Sequence, residues 1–259
     1  MKFTSKILLS SICFFACSTV SFASDSENKP KVTNESSENK IVIPDFNAEY
    51  TVLRKSDPVG TAVRNLSHQK DGSIKYFYKT YVEWLIFSQT RSETSILNID
   101  NNKVTPLHYT NSREGTGKDK YYQWSYDHAN SKATDIKNKR DHSVDFSNNL
   151  QDKLSYHLQH RLNLIKDATQ SKYTYSVINT SGSIKDYTYE YDGEEQLILP
   201  YGLVKTIRFK REILAKERIT YAWFAPELDY LLVKLYQIKG GNEQFEAQLS
   251  KYEIEDKIN

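Results

Sequence analysis

Cysteine is almost absent from this chain of 259 residues, and its two copies, Cys13 and Cys17, both lie close to the N-terminus. The rest of the chain therefore lacks the residues for a disulfide, a thiolate metal site or a cysteine nucleophile. Glycine, with 9 residues, and proline, with 6, are also scarce. No glycine-rich phosphate loop and no Gly-x-Ser-x-Gly nucleophile elbow occurs. The sequence signatures of several common enzyme classes are thus missing.

The chain also lacks a clear excess of either positive or negative residues. The chain has 35 lysines and arginines against 33 aspartates and glutamates. Residues 1–23 contain Lys2 and Lys6 but no acidic residue, so without them the two counts are equal. Nucleic-acid-binding domains usually carry a clear basic excess. The sequence therefore predicts no nucleic-acid partner.

The first 23 residues have the pattern of a secretory signal peptide. A basic start precedes the apolar stretch Ile7–Phe15, and Ser21-Phe22-Ala23 fits the small-residue pattern before a cleavage site. A membrane anchor is less favoured, because a transmembrane helix needs roughly 20 predominantly apolar residues. We expect export to the periplasm and no transmembrane span after cleavage. The alternative is a lipoprotein tethered through Cys17.

The remaining chain is predicted to form a linker and one domain. Residues 24–41 are rich in Ser, Asn, Glu and Lys and bury too little apolar surface to fold, which predicts a disordered linker. Residues 42–256 are predicted to form a single β-rich domain, because segments with a two-residue apolar period follow one another throughout. The period is clearest from Leu203 to Gln237, which we expect at the centre of one large antiparallel sheet.

One segment breaks the two-residue period. Between Asn149 and Lys166, leucine or isoleucine recurs every three or four residues, which predicts one substantial amphipathic helix. Asn148 or Asn149 is expected to cap this helix, with Asp152 in its first turn. The predicted fold class is therefore mainly β, a curved antiparallel sheet or open half-barrel with one main amphipathic helix packed on it by its leucine face.

Two histidines on the predicted helix are candidate metal ligands. His157 and His160 stand three residues apart, a spacing at which two imidazoles can face one ion. A third ligand would have to come from elsewhere, for example Asp152 or Glu190. We favour polar residues beside the leucine stripe, and predict no metal and no other cofactor.

A basic stretch is the second candidate site. It lies within the predicted sheet and consists of Lys205, Arg208, Lys210, Arg211, Lys216 and Arg218. Such a stretch could contact anionic lipid headgroups, lipopolysaccharide or polysaccharide. The favoured interpretation is a solvated sheet face whose charges are balanced by Glu212 and Glu217.

Several short motifs point to a known family. The most specific is Trp223-Phe224-Ala225-Pro226, followed by Asp229-Tyr230 and Val233-Lys234. Earlier motifs are Asn47–Val52 with Val59-Gly60, Val104-Thr105-Pro106 before Tyr109, and Asp152-Lys153-Leu154-Ser155 leading to Arg161. From Phe46 to Tyr252 the chain resembles the domain of unknown function 3108 (DUF3108) family of exported bacterial proteins. Leu232 stands where the family is expected to carry proline, which affects the shape of that corner.

This resemblance implies a mainly antiparallel sheet curved into an open barrel around a helix. The architecture is similar to that of periplasmic lipoprotein carriers, whose concave apolar face holds acyl chains. Fold alone does not determine function. No catalytic residue comes with the family, so none is carried over to this chain, and we expect no enzymatic activity.

A curved sheet with one helix cannot cover both of its faces, so its interior is either filled or an elongated apolar groove. The first hypothesis is a non-enzymatic binder or carrier of a lipid or a lipoprotein acyl chain. The alternative is an envelope scaffold or assembly factor that acts through protein contacts and has a filled interior. A hydrolase is less favoured, because no polar cluster is evident. The candidate ligand-lining residues are Trp84, Phe87, Trp124, Leu158, Leu162, Tyr221, Trp223 and Leu235.

Overall fold

A computed structural model describes residues 40–255, which contain fourteen β-strands and one α-helix. The helix, α1, is Ser155–Lys166, and two short 3-10 turns are Leu214–Lys216 and Pro226–Leu228. No helix in this part of the chain is long and apolar enough to cross a membrane. The strands are β1 Phe46–Arg54, β2 Asp57–His68, β3 Ile74–Trp84, β4 Phe87–Asp100, β5 Lys103–Gly115, β6 Lys120–Asp127, β7 Lys132–Asp135, β8 Arg140–Ser143, β9 Lys172–Ile178, β10 Ile184–Leu199, β11 Gly202–Ile213, β12 Arg218–Ala225, β13 Leu231–Lys239 and β14 Asn242–Ile254.

The predicted signal peptide, residues 1–23, lies outside the described residues. So does the predicted linker, residues 24–41, except for its last two residues. Ile41 packs against the core and donates its backbone N–H to Asn102 Oδ1 at 2.8 Å. Ile41 therefore belongs to the packed domain.

All fourteen strands form one sheet in which every neighbouring pair is antiparallel. β1 pairs with β14 in the middle and thereby joins two meanders, β1 to β8 and β9 to β14. Within residues 40–255, no pairing connects the edge strands β8 and β9, so the sheet does not close into a barrel. The predicted fold class is confirmed. The stretch Leu203–Gln237 forms β11 to β13 in one half of the sheet rather than its centre, because the first and last strands take the central positions.

The helix begins six residues later than predicted, at Ser155. The residues before it are held by the sheet instead: Gln151 bridges to Val177 of β9, and its side chain donates to the carbonyl of Val104 in β5 at 2.8 Å. The expected asparagine cap is therefore wrong. Asp152 precedes the helix, and its carboxylate accepts the backbone N–H groups of Leu154 and Ser155 at 2.7 Å each, which satisfies two N–H groups at the helix start.

The sheet surrounds the helix instead of covering only its leucine face. Leu154, Leu158 and Leu162 pack into a large apolar cluster, here called the leucine cluster, that also contains Phe46 and Trp124. The opposite face of α1 is buried as well. There the ring of His160 lies 4.5 to 5.7 Å, centroid to centroid, from five aromatic rings that define the aromatic cluster: Tyr173, Tyr175, Tyr189, Phe209 and Phe224. The helix is thus the central rod of a curled sheet.

Candidate ligand-binding cleft

The inner face of the sheet, defined as the face toward α1, is only partly filled. Three adjacent cavities of about 110, 360 and 660 Å³ lie between strands β1 to β4 on one side and β10 to β14 on the other. Phe245 lines all three, while Leu154 and His157 form part of the floor. Together we call these cavities the interior cleft. Its size is typical of small-molecule sites in proteins.

One wall of the cleft is largely apolar because β1 to β4 turn alternate side chains inward. Tyr78 belongs both to this wall and to the neighbouring small cavity. The remaining lining residues are Arg54, Arg91, three glutamines and a threonine, so a hydrocarbon chain would contact the apolar side chains with polar ones between them. The apolar and aromatic residues of the wall are Val52, Val59, Tyr78, Val82, Trp84, Phe87, Phe245 and Ala247.

The hairpin between β3 and β4 stands at the mouth of this wall. Trp84 and Phe87 face each other across the hairpin, and the turn between them is Leu85-Ile86. Leu85 is 80% exposed and Ile86 is 99% exposed. The guanidinium of Arg54 lies 4.3 Å from the centroid of the Trp84 ring. Four consecutive large apolar residues therefore stand at the entrance to the cleft.

The other wall is basic. Seven cationic and three acidic side chains line the cavities of about 110 and 660 Å³. The cations come from strands on both sides, from the segment before α1 and from the β11–β12 turn. They are Arg64, Arg91, Lys153, Lys185, Arg211, Lys216 and Arg218, and the acids are Glu93, Asp186 and Glu212.

The three carboxylates are already engaged. Glu93 pairs with Arg91 at 3.0 Å and also accepts the Tyr109 hydroxyl. Glu212 pairs with Lys210 at 3.0 Å, and Asp186 accepts the Ser176 hydroxyl at 2.8 Å. They leave most of the cationic charge in the cleft without a counter-charge from the protein.

Arg64 of β2 is the most deeply buried of these cations, with 6% of its surface exposed. Its guanidinium lies 5.7 and 5.4 Å from the ring centroids of Tyr76 and Tyr78. Within residues 40–255 it forms no ion pair, and its buried Nε has no hydrogen-bond partner. Aromatic faces attract a guanidinium but do not neutralise it.

Arg211 of β11 faces the same space from the opposite side. Its guanidinium lies 4.4 Å from the Tyr187 centroid and 5.9 Å from that of Tyr156. Its Nε and Nη1 are buried without a partner in the described part of the chain. Burial, and then the charges of Arg64 and Arg211, hold the pKa of His157 well below its ordinary value of 6.5. His157 is therefore a neutral imidazole between two arginines.

The two histidines proposed as metal ligands have different surroundings. His157 lines the cleft, whereas His160 lies inside the aromatic cluster, where burial lowers its pKa to about 3. The Tyr175 hydroxyl lies 2.9 Å from His160 Nδ1. Between residues 40 and 255, no group of three His, Cys, Asp or Glu side chains is placed to hold a metal ion.

The eight candidate lining residues fall into three places. Trp84, Phe87 and Leu235 line the cleft. Trp124, Leu158 and Leu162 are buried in the leucine cluster. On β12, Trp223 also belongs to the leucine cluster and Tyr221 packs against it, but their positions alternate with that of Phe224, which packs on His160, and neither residue lines the cleft. Whether any of them contacts a ligand stays a prediction.

The basic stretch predicted from the sequence also divides between the two faces of the sheet. Arg211 and Arg218 line the cleft. Arg208 lies on the outer face, where it binds Asp192 at 2.7 Å and Glu195 at 2.8 Å, and Glu195 also accepts the indole N–H of Trp223 at 2.6 Å. Only part of that stretch is therefore the solvated, balanced surface that we favoured.

Sequence reasoning missed Arg64, Arg91 and Lys153. One indication was available in β2, where Arg64 occupies an inward position between Ala62 and Leu66. A charged residue on the buried face of a strand needs a partner. That Arg91 and Lys153 line the same cavity depends on contacts between distant segments, which the sequence pattern does not reveal.

Comparison with known proteins places the chain in a family. The crystal structure of a beta-barrel-like protein of domain of unknown function DUF1849 from Brucella abortus is similar, with a TM-score of 0.61 and 10% sequence identity, over 84% of this chain and 100% of that chain. At this identity the similarity shows the fold alone. No curated protein sequence matches the chain significantly. The model of the family described as protein of unknown function (DUF3108) matches residues 45–248. The chain therefore belongs to the DUF3108 family.

Proposed function

We propose that this protein is an exported, non-enzymatic carrier that holds an amphiphilic ligand, such as a lipid or a lipoprotein acyl chain, in the interior cleft. The main support for the proposal is that the interior cleft has both an apolar wall and a basic wall. The apolar wall around Phe245 and Val82 accepts a hydrocarbon chain, and the basic wall around Arg64 accepts a polar end. An amphiphile is the ligand class that has both parts.

The open interior favours this proposal over an envelope scaffold. A scaffold that acts through protein contacts needs no internal space, whereas the largest cavity of the cleft alone measures about 660 Å³. The pattern of a cleaved signal peptide in residues 1–23 supports action outside the cytoplasm. An enzyme is less favoured because the cleft residues suit binding, and no nucleophile–base–acid arrangement is evident among them.

A cleft-filling substitution tests the proposal. Ala247 of β14 points into the cleft and pairs with Leu235, while its neighbour Gln248 points outward and pairs with Lys234. Titration with dansyl-labelled undecanoic acid should give saturable fluorescence with the wild type. Ala247→Trp should weaken binding at least about tenfold, since the indole occupies the space of the chain. Gln248→Trp is the matched control and should bind as the wild type does.

Two results would remove the proposal. One is a wild-type protein that gives no saturable binding of any long-chain probe. The other is an Ala247→Trp variant that stays folded by circular dichroism and binds as tightly as the wild type, because the ligand would then lie elsewhere.

Export needs a separate measurement. The mass of the mature protein from cell fractions should correspond to a chain that starts at Ser24 and is found in the periplasm. A lipid-modified N-terminus at Cys17 would establish the tethered alternative. An intact chain found only in the cytosol would contradict export.

A further inference from the structure

The interior cleft contains one buried arginine, Arg64, whose positive charge the protein itself does not neutralise. Arg64 is 6% exposed and forms no ion pair within residues 40–255. Burial of an unpaired charge costs several kcal/mol of solvation free energy, which folded proteins normally offset with a counter-charge. Arg161 is as deeply buried but donates to two backbone carbonyls, whereas Arg64 has neither a counter-charge nor a carbonyl acceptor in the described part of the chain, which indicates that its partner comes from outside.

The free N–H groups converge on one space. Nε of Arg64, Nε of Arg91 and Nε and Nη1 of Arg211 are all buried without a partner in the described structure. Arg64 and Arg91 come from β2 and β4, whereas Arg211 comes from β11 on the other side of the cleft. His157 lines both the cavity that contains Arg64 and the adjacent cavity that contains Arg211, so the two guanidiniums face neighbouring parts of one cleft. Lys153 lines the same space.

Guanidinium groups are suited to oxyanions. Their planar fork of N–H donors matches the oxygens of a carboxylate or phosphate, and hydrogen bonds between charged partners are roughly twice as strong as neutral ones. A purely apolar ligand would leave these donors unpaired. A cationic ligand would be repelled by the excess of seven cations over three carboxylates along these walls.

We propose that the interior cleft binds the anionic end group, a carboxylate or a phosphate, of its ligand through Arg64 and Arg211, with Arg91 and Lys153 completing the site. This inference rests on the proposed carrier function and specifies its ligand class as an acidic amphiphile. The acidic group lies beside His157 at the floor of the cleft, and the chain extends along the apolar wall toward Trp84 and Phe87.

The first test compares two probes that differ only in charge. The wild type should bind dansyl-labelled undecanoic acid roughly tenfold to a hundredfold more tightly than the methyl ester of the same acid, the effect expected for one or two charged hydrogen bonds. Equal affinity for acid and ester would overturn the inference and leave the carrier proposal in place.

Variants then assign the preference to the arginines. Arg64→Met and Arg211→Gln should each lower the affinity for the acid toward that for the ester and leave ester binding unchanged. Arg208→Gln is the matched control, because Arg208 lies on the same strand as Arg211 but binds Asp192 and Glu195 on the outer face. Retention of the full acid preference in both cleft variants would overturn the inference.

The stability of the ligand-free Arg64→Met variant shows whether Arg64 serves ligand binding or the fold. If Arg64 serves a ligand, Arg64→Met should be as stable as the wild type without ligand or more stable, because a buried unpaired charge is removed and the aliphatic contacts remain. If Arg64 serves only the fold, the variant should unfold at a lower denaturant concentration, which would count against the inference. Arg211→Gln, at a less buried position, gives the binding result even if Arg64→Met does not fold.

Inorganic phosphate tests the anion site separately from the hydrocarbon chain. If no long-chain probe binds, the carrier proposal fails, and thermal unfolding in inorganic phosphate then decides on the anion site alone. A phosphate-dependent rise of Tm that disappears in Arg211→Gln would support an anion site in a protein that is not a lipid carrier. The absence of any phosphate effect would overturn the inference as well.

Discussion

Arg161 Nε donates a hydrogen bond of 2.8 Å to the backbone carbonyl of Asp229. The same guanidinium reaches the carbonyl of Leu228 at 3.2 Å and lies 5.1 Å from the Phe46 ring centroid. Asp229 has φ +50, in the left-handed region, where it ends the short 3-10 turn between β12 and β13. One side chain thus fastens the second half of α1 to the turn after the Trp223–Pro226 motif.

Loss of this side chain should destabilise the fold. Arg161→Met keeps the aliphatic contacts but leaves two carbonyls without donors, which should lower the free energy of unfolding by roughly 2–4 kcal/mol. Urea unfolding followed by circular dichroism measures the change. Arg140→Met, on exposed β8, is the control and should stay within about 0.5 kcal/mol of the wild type. Similar stabilities of the two variants would mean that Arg161 is not a structural tie.

Asp152 should give the protein an unusual pH dependence. Burial raises its pKa to about 6 from an ordinary value of 3.8, although Ser95 and two backbone N–H groups stabilise the carboxylate. Its contribution to stability is therefore complete below about pH 4 and is lost as pH rises through about 6. Asp152→Asn should gain roughly 2–3 kcal/mol relative to the wild type between pH 4 and pH 7. A pH-independent difference would contradict the raised pKa.

His160 should act in the opposite direction. Burial lowers its pKa from 6.5 to about 3, so its contribution to stability is present above about pH 6.5 and is lost as pH falls toward 3. His160→Phe should therefore gain up to roughly 3 kcal/mol relative to the wild type between pH 7 and pH 4. Phe224→Leu, a neighbour without a titrating group, should shift stability equally at both pH values. A parallel wild-type and His160→Phe profile would show that the pKa of His160 is not lowered in the fold.

Trp84 should report ligand entry by fluorescence. It is 42% exposed at the cleft mouth, whereas Trp124 and Trp223 are buried. A chain that fills the apolar wall should shift the emission to shorter wavelength, because water leaves the indole. Trp84→Phe should abolish the shift and retain binding measured by dansyl fluorescence. A shift that persists in Trp84→Phe would place the ligand elsewhere.

Local pattern predicted the sheet and the helix but not the positions of several turns. The reversal between β3 and β4 occurs at Leu85-Ile86, and β4 then continues to Asp100. Turns are normally marked by Gly, Asn or Asp. Here Leu85 adopts φ +55, which nothing in its residue type indicates. In β10 the reverse holds, because Asp192-Gly193, a pair typical of turns, forms a bulge within one continuous strand.

The lining of the cleft was harder to predict than the strands, because it depends on which distant segments pair with each other. Alternation along β12 suggested that Tyr221 and Trp223 face the helix, but it gives only two faces and does not say which one is inside. Arg64, Arg91 and Arg211 are far apart in sequence and meet only when β2, β4 and β11 curl around α1. The charge balance of the whole chain concealed this local basic excess.

Native mass spectrometry of the protein purified from its own cells tests the central claim most directly. The wild type and Gln248→Trp should retain a bound molecule whose fragments include an acidic group and a hydrocarbon chain. Ala247→Trp, with the cleft filled, should be free of it. A wild-type protein that carries no ligand, or an Ala247→Trp variant that carries the same one, would contradict the account.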